Sequence, residues 1–388
     1  MVKWGIYLYI DMTKEQLLIR RNELLQKKRE VGFDVERLNT KQMVIKILVN
    51  SCYGYMGNKQ APIGDDDIAS SVTLTGQAVI KHAGKLLQDY LREYYDITNA
   101  TVLDESWVYS DTDSCYFSLG CIQDKVPILK DGDINPEFYK TVDSLNDYLN
   151  AGIKVWAKKF LRTENSRFIF KREYISDIGV FLQKKRYVLH ILDNKGIKTS
   201  KFKYTGVEVV RTTMPDSIKP YAKKIIETMF TTKSLKTTND VLNETYDKFK
   251  SLSPEEIGFV MGVKGYEKYS SKCKEFTTAK GMPLHVKSAY YHNHLMNNVL
   301  KTNKSEDIVS GDKVRYVYLE KPNKYGIESV GFKYEYPDEF KALFKIDYDK
   351  MFDKILFESI RRFYEAVSWQ IRKPSENVKT DLFELFSL

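Results

Sequence analysis

Cysteine is scarce in this 388-residue sequence: Cys52, Cys115, Cys121 and Cys273 are all there is, and no two stand in C-x-x-C spacing. That excludes a disulfide framework and the common zinc patterns, and makes a reducing compartment the expectation. The apolar stretch Trp4–Ile10 follows Lys3 like a very short signal core. It is too short for the roughly 20 residues of a membrane span, and no small-residue cleavage site follows it. It reads as a buried segment, and the protein as cytoplasmic. Internal repeats and low-complexity tracts are also missing, which excludes solenoids and compositional tails.

What is present is ordinary globular composition with a basic excess. Hydrophobic residues make up 43% and charged residues 29%, enough for two or three domains at this length. The net charge is +9, with 27 Tyr and 20 Phe. The charge is concentrated: residues 158–224 hold 17 Lys and Arg against 6 Asp and Glu. Concentrated positive charge suits a polyanion surface better than a uniform excess does, although a solvated face is the plainer reading.

Apolar spacing predicts an amphipathic helix over residues 13–31, carrying Leu17, Leu18, Leu24 and Leu25. After a break at Val31-Gly32, a second is predicted over Val35–Tyr53, the pair forming part of a helical hairpin. A third is expected over Val72–Tyr95. Trp107–Tyr109 and Cys115–Phe117 are β-prone runs around a turn. Residues 167–192 read as strands, with Lys184–Tyr187 inside one. From about residue 216 the pattern is mostly helical, with loops at 231–240 and 301–312.

Three constellations carry chemistry. In Asp111-Thr112-Asp113-Ser114, carboxylates at i and i+2 of a tight turn offer the hard oxygen donors that a Mg²⁺ ion takes. Paired divalent ions can clamp both oxygens of an in-line phosphoryl transfer, but turns also select Asp for local hydrogen bonds. In Lys46-Ile47-Leu48-Val49-Asn50-Ser51-Cys52-Tyr53-Gly54, helical spacing puts Lys46, Asn50 and Tyr53 near one face. A cation, an amide and an aromatic there suit a nucleoside triphosphate, Gly54 being expected to end the helix. The alternative is a core helix with a snorkelling Lys. Lys184-Lys185-Arg186-Tyr187, on the expected strand, would place cations on both faces. That suits a phosphate backbone or a charge-protected sheet edge.

In this order, K-x-x-x-N-S-x-Y-G, Y-x-D-T-D-S and K-K-R-Y resemble motif B, motif C and the KKRY motif of family B DNA polymerases. Gly206-Val207-Glu208 with Arg211-Thr212-Thr213-Met214-Pro215 resembles the entry to their thumb. Pro283-Leu284-His285-Val286-Lys287 resembles a thumb segment of the T-even-like phage members. Asp381-Leu382-Phe383-Glu384-Leu385-Phe386 resembles their C-terminal sliding-clamp peptide.

The resemblance implies an α+β, partial right-hand fold. The last fingers helix would lie in residues 1–58, a palm with an antiparallel sheet in 59–207, a helical thumb in 208–375 and a clamp-binding tail in 376–388. It implies template-directed addition of a deoxynucleotide to a primer 3′-hydroxyl, with two Mg²⁺ ions. Asp113 and Asp111 would be the catalytic metal ligands, and Lys46, Asn50 and Tyr53 would contact the nucleotide. Lys184, Lys185, Arg186, Tyr187 and Arg211 would contact primer-template DNA, and Leu382, Phe383 and Phe386 the clamp.

The family's motif A, D-x-x-S-L-Y-P, is missing; Asp143-Ser144-Leu145-Asn146 is a partial echo that falls after motif C. The first fingers helix and the proofreading exonuclease are not found either. Phe33-Asp34-Val35-Glu36 mimics the exonuclease D-x-E, but its companion segments fall in the wrong order. Asp34 and Glu36 therefore read as acidic residues at a helix start, where the dipole favours them. The expectation is a split polymerase, this chain being the catalytic C-terminal subunit and a partner chain bringing motif A and the exonuclease. The alternatives are a piece of a single-chain enzyme, and a non-catalytic subunit that binds DNA and the clamp.

Overall fold

The computed structural model describes residues 2–8, 32–302 and 305–376, with the side chains of 2–8 and 32–35 left aside. The expected helix over residues 13–31 and the tail residues Leu382, Phe383 and Phe386 lie outside these described residues. The chain divides into two compact units, residues 1–177 with 191–201, and residues 178–190 with 202–388.

The first unit is a sheet backed by two long helices. Its elements are β1 (Val2–Leu8), α1 (Gly32–Met56), α2 (Asp66–Tyr95), β2 (Trp107–Asp111), β3 (Ser114–Phe117) and α3 (Pro136–Phe160). It also takes residues 168–177 of β4 (Phe168–Gln183), 191–194 of β5 (Arg186–Asn194) and 197–201 of β6 (Ile197–Thr205). The strand order is β2–β3–β1–β4–β5–β6. β1 runs antiparallel to both neighbours, with Gly5 opposite Ser114 and Leu8 opposite Phe168.

α2 starts where Asp65 caps it, its side chain accepting from the backbone N–H groups of Asp67 and Ile68. It stops at Asp96, whose left-handed backbone lets its N–H reach back to the last carbonyls. Val79, Ile80, Ala83, Leu86, Leu87, Tyr90 and Leu91 recur at helical spacing and are buried. They meet Phe138, Val142, Leu145, Leu149 and Ile153 of α3 in one core. The helices come close at Gly152, where a Cβ would lie 2.5 Å from Leu86 Cδ2. The partial motif A echo, Asp143–Asn146, is spent on this helix, with Leu145 fully buried. Asp34 and Glu36 fall in the opening turns of α1, as the sequence suggests.

The same unit holds a buried ion pair. Asp193, fully buried, accepts from Arg172, from the Tyr139 hydroxyl at 3.0 Å and from the Gly196 N–H at 3.0 Å. The Lys195-Gly196 turn has positive φ at both residues (55° and 86°), the conformation a two-residue hairpin requires.

In the second unit, residues 178–183, 186–190 and 202–205 of β4, β5 and β6 belong with α4 (Lys219–Thr232) and α5 (Leu235–Phe249). Then come β7 (Phe259–Gly262), α6 (Leu284–His294), β8 (Lys313–Tyr318), β9 (Ser329–Phe332) and α7 (Glu358–Ala366). β7, β8 and β9 form a three-stranded antiparallel sheet in the order β9–β8–β7, where the sequence pattern suggests mainly helix. These strands are only four to six residues long, and β7 is separated from its partner β8 by α6, so local periodicity carries little trace of them.

The expected loop over 231–240 shrinks to Lys233-Ser234. Lys233 turns left-handed at φ 51°, and Ser234 accepts from the Thr237 N–H to start α5 at once. The rest of the segment is absorbed by the helix: Thr238 is buried and its hydroxyl bonds the Ser234 carbonyl. The main core joins Ile225, Phe249, Val317, Phe332, Phe340 and Phe363, and a smaller one gathers around Val263, Met282 and Val314. Among the described residues no helix is long and apolar enough to cross a membrane.

Candidate active site

The β2–β3 hairpin carries the paired carboxylates. Its root is fixed by Trp107, whose ring lies where a Cβ on Gly84 of α2 would fall, at 2.3 Å. All four residues of β3 are buried. Asp111 ends β2 opposite Ser114, leaving Thr112 and Asp113 as the turn. The Asp113 N–H donates to the Asp111 carbonyl at 2.7 Å, across Thr112 at φ 55°. A hydrogen bond between residues i and i+2 about a positive φ is the rare, strained form of three-residue turn. A β-branched residue there is an outlier that costs on the order of 1–3 kcal/mol.

The turn is tied down by its own side chains. Thr112 Oγ1 donates to Asp111 Oδ1 at 3.2 Å and Ser114 Oγ to the Asp111 carbonyl at 3.3 Å. Gly76 of α2 passes beneath, with the Thr112 carbonyl 3.9 Å from where its Cβ would be. Asp111 is thus half-buried and held, while Asp113 is exposed at the tip. Two carboxylates on one strained turn are hard oxygen donors that fit a Mg²⁺ ion, which takes few protein ligands and completes its shell with water or phosphate. Among the described residues no group of three or more such ligands forms.

Lys46, Asn50 and Tyr53 lie on α1 and are all exposed. The expected helix end at Gly54 is not observed. α1 runs on to Met56, because Gly57 and Asn58 still bond back to the carbonyls of Tyr53 and Tyr55. Gly54 stands in open space, with nothing within 4 Å of an added Cβ.

The KKRY segment is placed differently from the expectation. Lys184 and Lys185 are the two-residue turn between β4 and β5, not part of a strand, and Lys185 has φ 62°. The alternation that paired Lys185 with Tyr187 on one face therefore does not apply. Gly206 makes this turn possible: at φ 61° it lies so close that a Cβ would sit 2.1 Å from the Lys185 carbonyl. Tyr187 is buried and stacks on Phe181 at 5.1 Å between centroids.

Arg186 donates to Glu208 Oε1 at 3.0 Å, and Arg211 lies 3.9 Å from the same oxygen. Arg362 of α7 donates to that oxygen too, at 3.1 Å. Sequence reasoning missed Arg362, since only tertiary folding brings α7 to this place. The structure therefore joins Asp111 with Asp113 on one turn, Lys46, Asn50 and Tyr53 on one helix, and Arg186 with Arg211 around Glu208.

Comparison with known proteins finds similarity to DNA polymerases. Residues 15–133, which include the α1 constellation and the carboxylate turn, match the profile of DNA polymerase family B. The chain is 24% identical over 375 residues to the DNA-directed DNA polymerase of Escherichia phage RB69, covering 89% of this chain and 38% of the relative. It is 25% identical over 354 residues to that of Enterobacteria phage T4, covering 84% of this chain and 37% of the relative. It is also 26% identical over 253 residues to DNA polymerase 1 of Pyrococcus abyssi, covering 64% and 28%. The chain thus spans less than two-fifths of the length of these phage relatives. Its residues 15–133 are similar to family B DNA polymerases, and the wider match extends that similarity over most of the sequence.

Proposed function

We propose that this chain is the catalytic C-terminal part of a family B DNA polymerase. It takes part in template-directed attack of a primer 3′-hydroxyl on the α-phosphate of a deoxynucleoside triphosphate, releasing pyrophosphate. The observation that carries this reading is the strained Asp111-Thr112-Asp113 turn, which puts two carboxylates at the end of a hairpin whose strand β3 is buried. Backbone strain held by surrounding structure is characteristic of sites that need fixed geometry.

In this reading Asp113 and Asp111 hold divalent ions, which supply charge neutralisation at the phosphates. Lys46 draws the triphosphate by charge, while Asn50 and Tyr53 line the space for the nascent base pair. Lys184, Lys185, Arg186 and Arg211 hold primer-template DNA, and Tyr187 supports their turn from within the core. These residues contribute by positioning and electrostatics rather than by covalent chemistry.

The reading needs a third carboxylate. The sequence contains no D-x-x-S-L-Y-P segment, so we assign that ligand, with the exonuclease, to a partner chain. The exposed apolar side chains of Ile45, Ile47, Leu48 and Val49 on α1 and of Val72 and Leu74 on α2 support this assignment. Such a surface is what a partner carrying the rest of the fingers would cover. The tail residues Leu382, Phe383 and Phe386 are proposed as apolar anchors for a sliding clamp.

Primer extension with Mg²⁺ and four nucleotides tests the reading, using this chain alone and mixed with a chain carrying motif A. Synthesis is expected in the mixture and is lost with Asp113→Ala. Synthesis that survives Asp113→Ala would refute the assignment of the metal site.

A further inference from the structure

Three guanidinium groups, from Arg186, Arg211 and Arg362, converge on one carboxylate, Glu208, in the second unit. They come from the start of β5, from the residue after the short turn Glu208–Val210, and from α7. Their side chains are 28%, 42% and 47% exposed, and that of Glu208 is 23% exposed. The carboxylate is therefore the most covered member, with the cations arranged outward around it.

A structural ion pair needs one cation. Three on a single carboxylate leave positive charge uncompensated at short range, an arrangement that favours a further anion. Each guanidinium presents five N–H donors in a planar fork that matches phosphate. The turn residues Lys184 and Lys185 are exposed beside Arg186 and are held over Gly206, two residues before Glu208.

We propose that Glu208 gathers these arginines into one site for a backbone phosphodiester of duplex DNA, and that Arg362 is a DNA contact within it. Arg362 touches the phosphate, whereas Glu208 is a positioning residue that fixes the forks in advance and so lowers the ordering cost of binding. The inference rests on the polymerase reading only for its choice of DNA as the polyanion.

The test is fluorescence anisotropy of the full chain with a labelled blunt duplex across a salt series, read against three variants and one control. Arg362→Ala should weaken binding roughly tenfold and reduce the slope of log affinity against log salt by about 1. Arg361→Ala removes the same charge from the neighbouring helix position, where Arg361 is paired with Glu365 at 3.2 Å; it should change affinity less than about twofold. Arg362→Lys keeps the charge, loses the fork and should fold normally; it should recover only part of the loss.

Glu208→Gln discriminates most sharply. It removes a negative charge from a cationic surface, so diffuse electrostatics alone would tighten binding. Positioning predicts weaker binding instead. Tighter binding by Glu208→Gln, or equal losses for Arg361→Ala and Arg362→Ala, would overturn the proposal. Pyrophosphate binding that is lost in Arg362→Ala while duplex affinity is unchanged would reassign the site to a free polyphosphate and overturn it as well. Anisotropy needs no synthesis, so the proposal stands if this pattern holds in a chain that never extends a primer. It falls alone if primers are extended and the pattern is absent.

Discussion

Gly206→Ala should unfasten the KKRY turn without replacing any of its charged side chains. Two costs add. Gly206 has φ 61°, and an alanine there pays about 1–2 kcal/mol for the left-handed conformation. The new Cβ would also lie 2.1 Å from the Lys185 carbonyl oxygen and 3.2 Å from its carbon. That neighbour is backbone and cannot swing aside, so the Lys184-Lys185 turn must shift by about an ångström, at about 1–3 kcal/mol. The sum is about 2–5 kcal/mol, which lowers the melting temperature of a domain of about 200 residues by roughly 4–20 °C. Gly196→Ala is the internal control. Its φ of 86° carries the conformational cost, but nothing lies within 4 Å of the added carbon. Thermal unfolding followed by circular dichroism, with duplex binding by anisotropy, separates the two. Gly206→Ala should lose both stability and DNA affinity, and Gly196→Ala only a little stability. If the two variants melt alike and bind DNA alike, the close approach does not fix the turn and the reasoning fails.

Other perturbations probe separate parts of the fold. Asp193→Ala should destabilise the first unit by about 3–5 kcal/mol in urea denaturation, because it leaves Arg172 charged and largely covered, with only the more distant Asp143 carboxylate at 4.0 Å. Burial first, then the bond to Asp193, pushes the Tyr139 hydroxyl up to about 12, and burial with Glu93 does the same for Tyr148. Unfolded tyrosine titrates near 10, so this stabilisation is complete below about pH 10 and is lost as pH rises toward 12. Tyr139→Phe with Tyr148→Phe should flatten the fall in stability over that window, seen in melts at stepped pH. Deleting Thr380–Leu388 should shorten product length in the presence of a clamp and leave distributive synthesis intact; equal loss of both would refute a clamp role.

The parts of the fold that were legible in the sequence are those stabilised by near neighbours. α2 declares itself by apolar residues every three or four positions, although it begins at Asp66, behind the Asp65 cap, before the expected Val72. The carboxylate hairpin declares itself because aromatic and β-branched residues flank a short polar turn. The β7–β8–β9 sheet gives no such sign: Val260 pairs with Arg315 and Tyr316 with Gly331, across segments with no common pattern. β7 is set by β8, a partner far along the chain beyond α6, and local propensity has little hold on it.

The candidate site divides in the same way. Spacing alone places Lys46, Asn50 and Tyr53 on a shared helix face, because helical periodicity is a local rule. The KKRY segment fails that test for a definite reason. Turns usually carry Gly or Asn at positive φ, and here Lys185 adopts it instead, leaving no punctuation in the sequence. The glycine that licenses the turn is Gly206, which lies against it from the far end of β6. Tyr187, grouped by its neighbours with a cationic surface, is pulled into the core by Phe181. Arg362 is the opposite case, a lone basic residue in a helix that the fold carries to Glu208. A motif reports which residue types a surface requires; which side chains reach it is decided by the fold, through contacts such as Gly206 on Lys185 and Glu208 on Arg362.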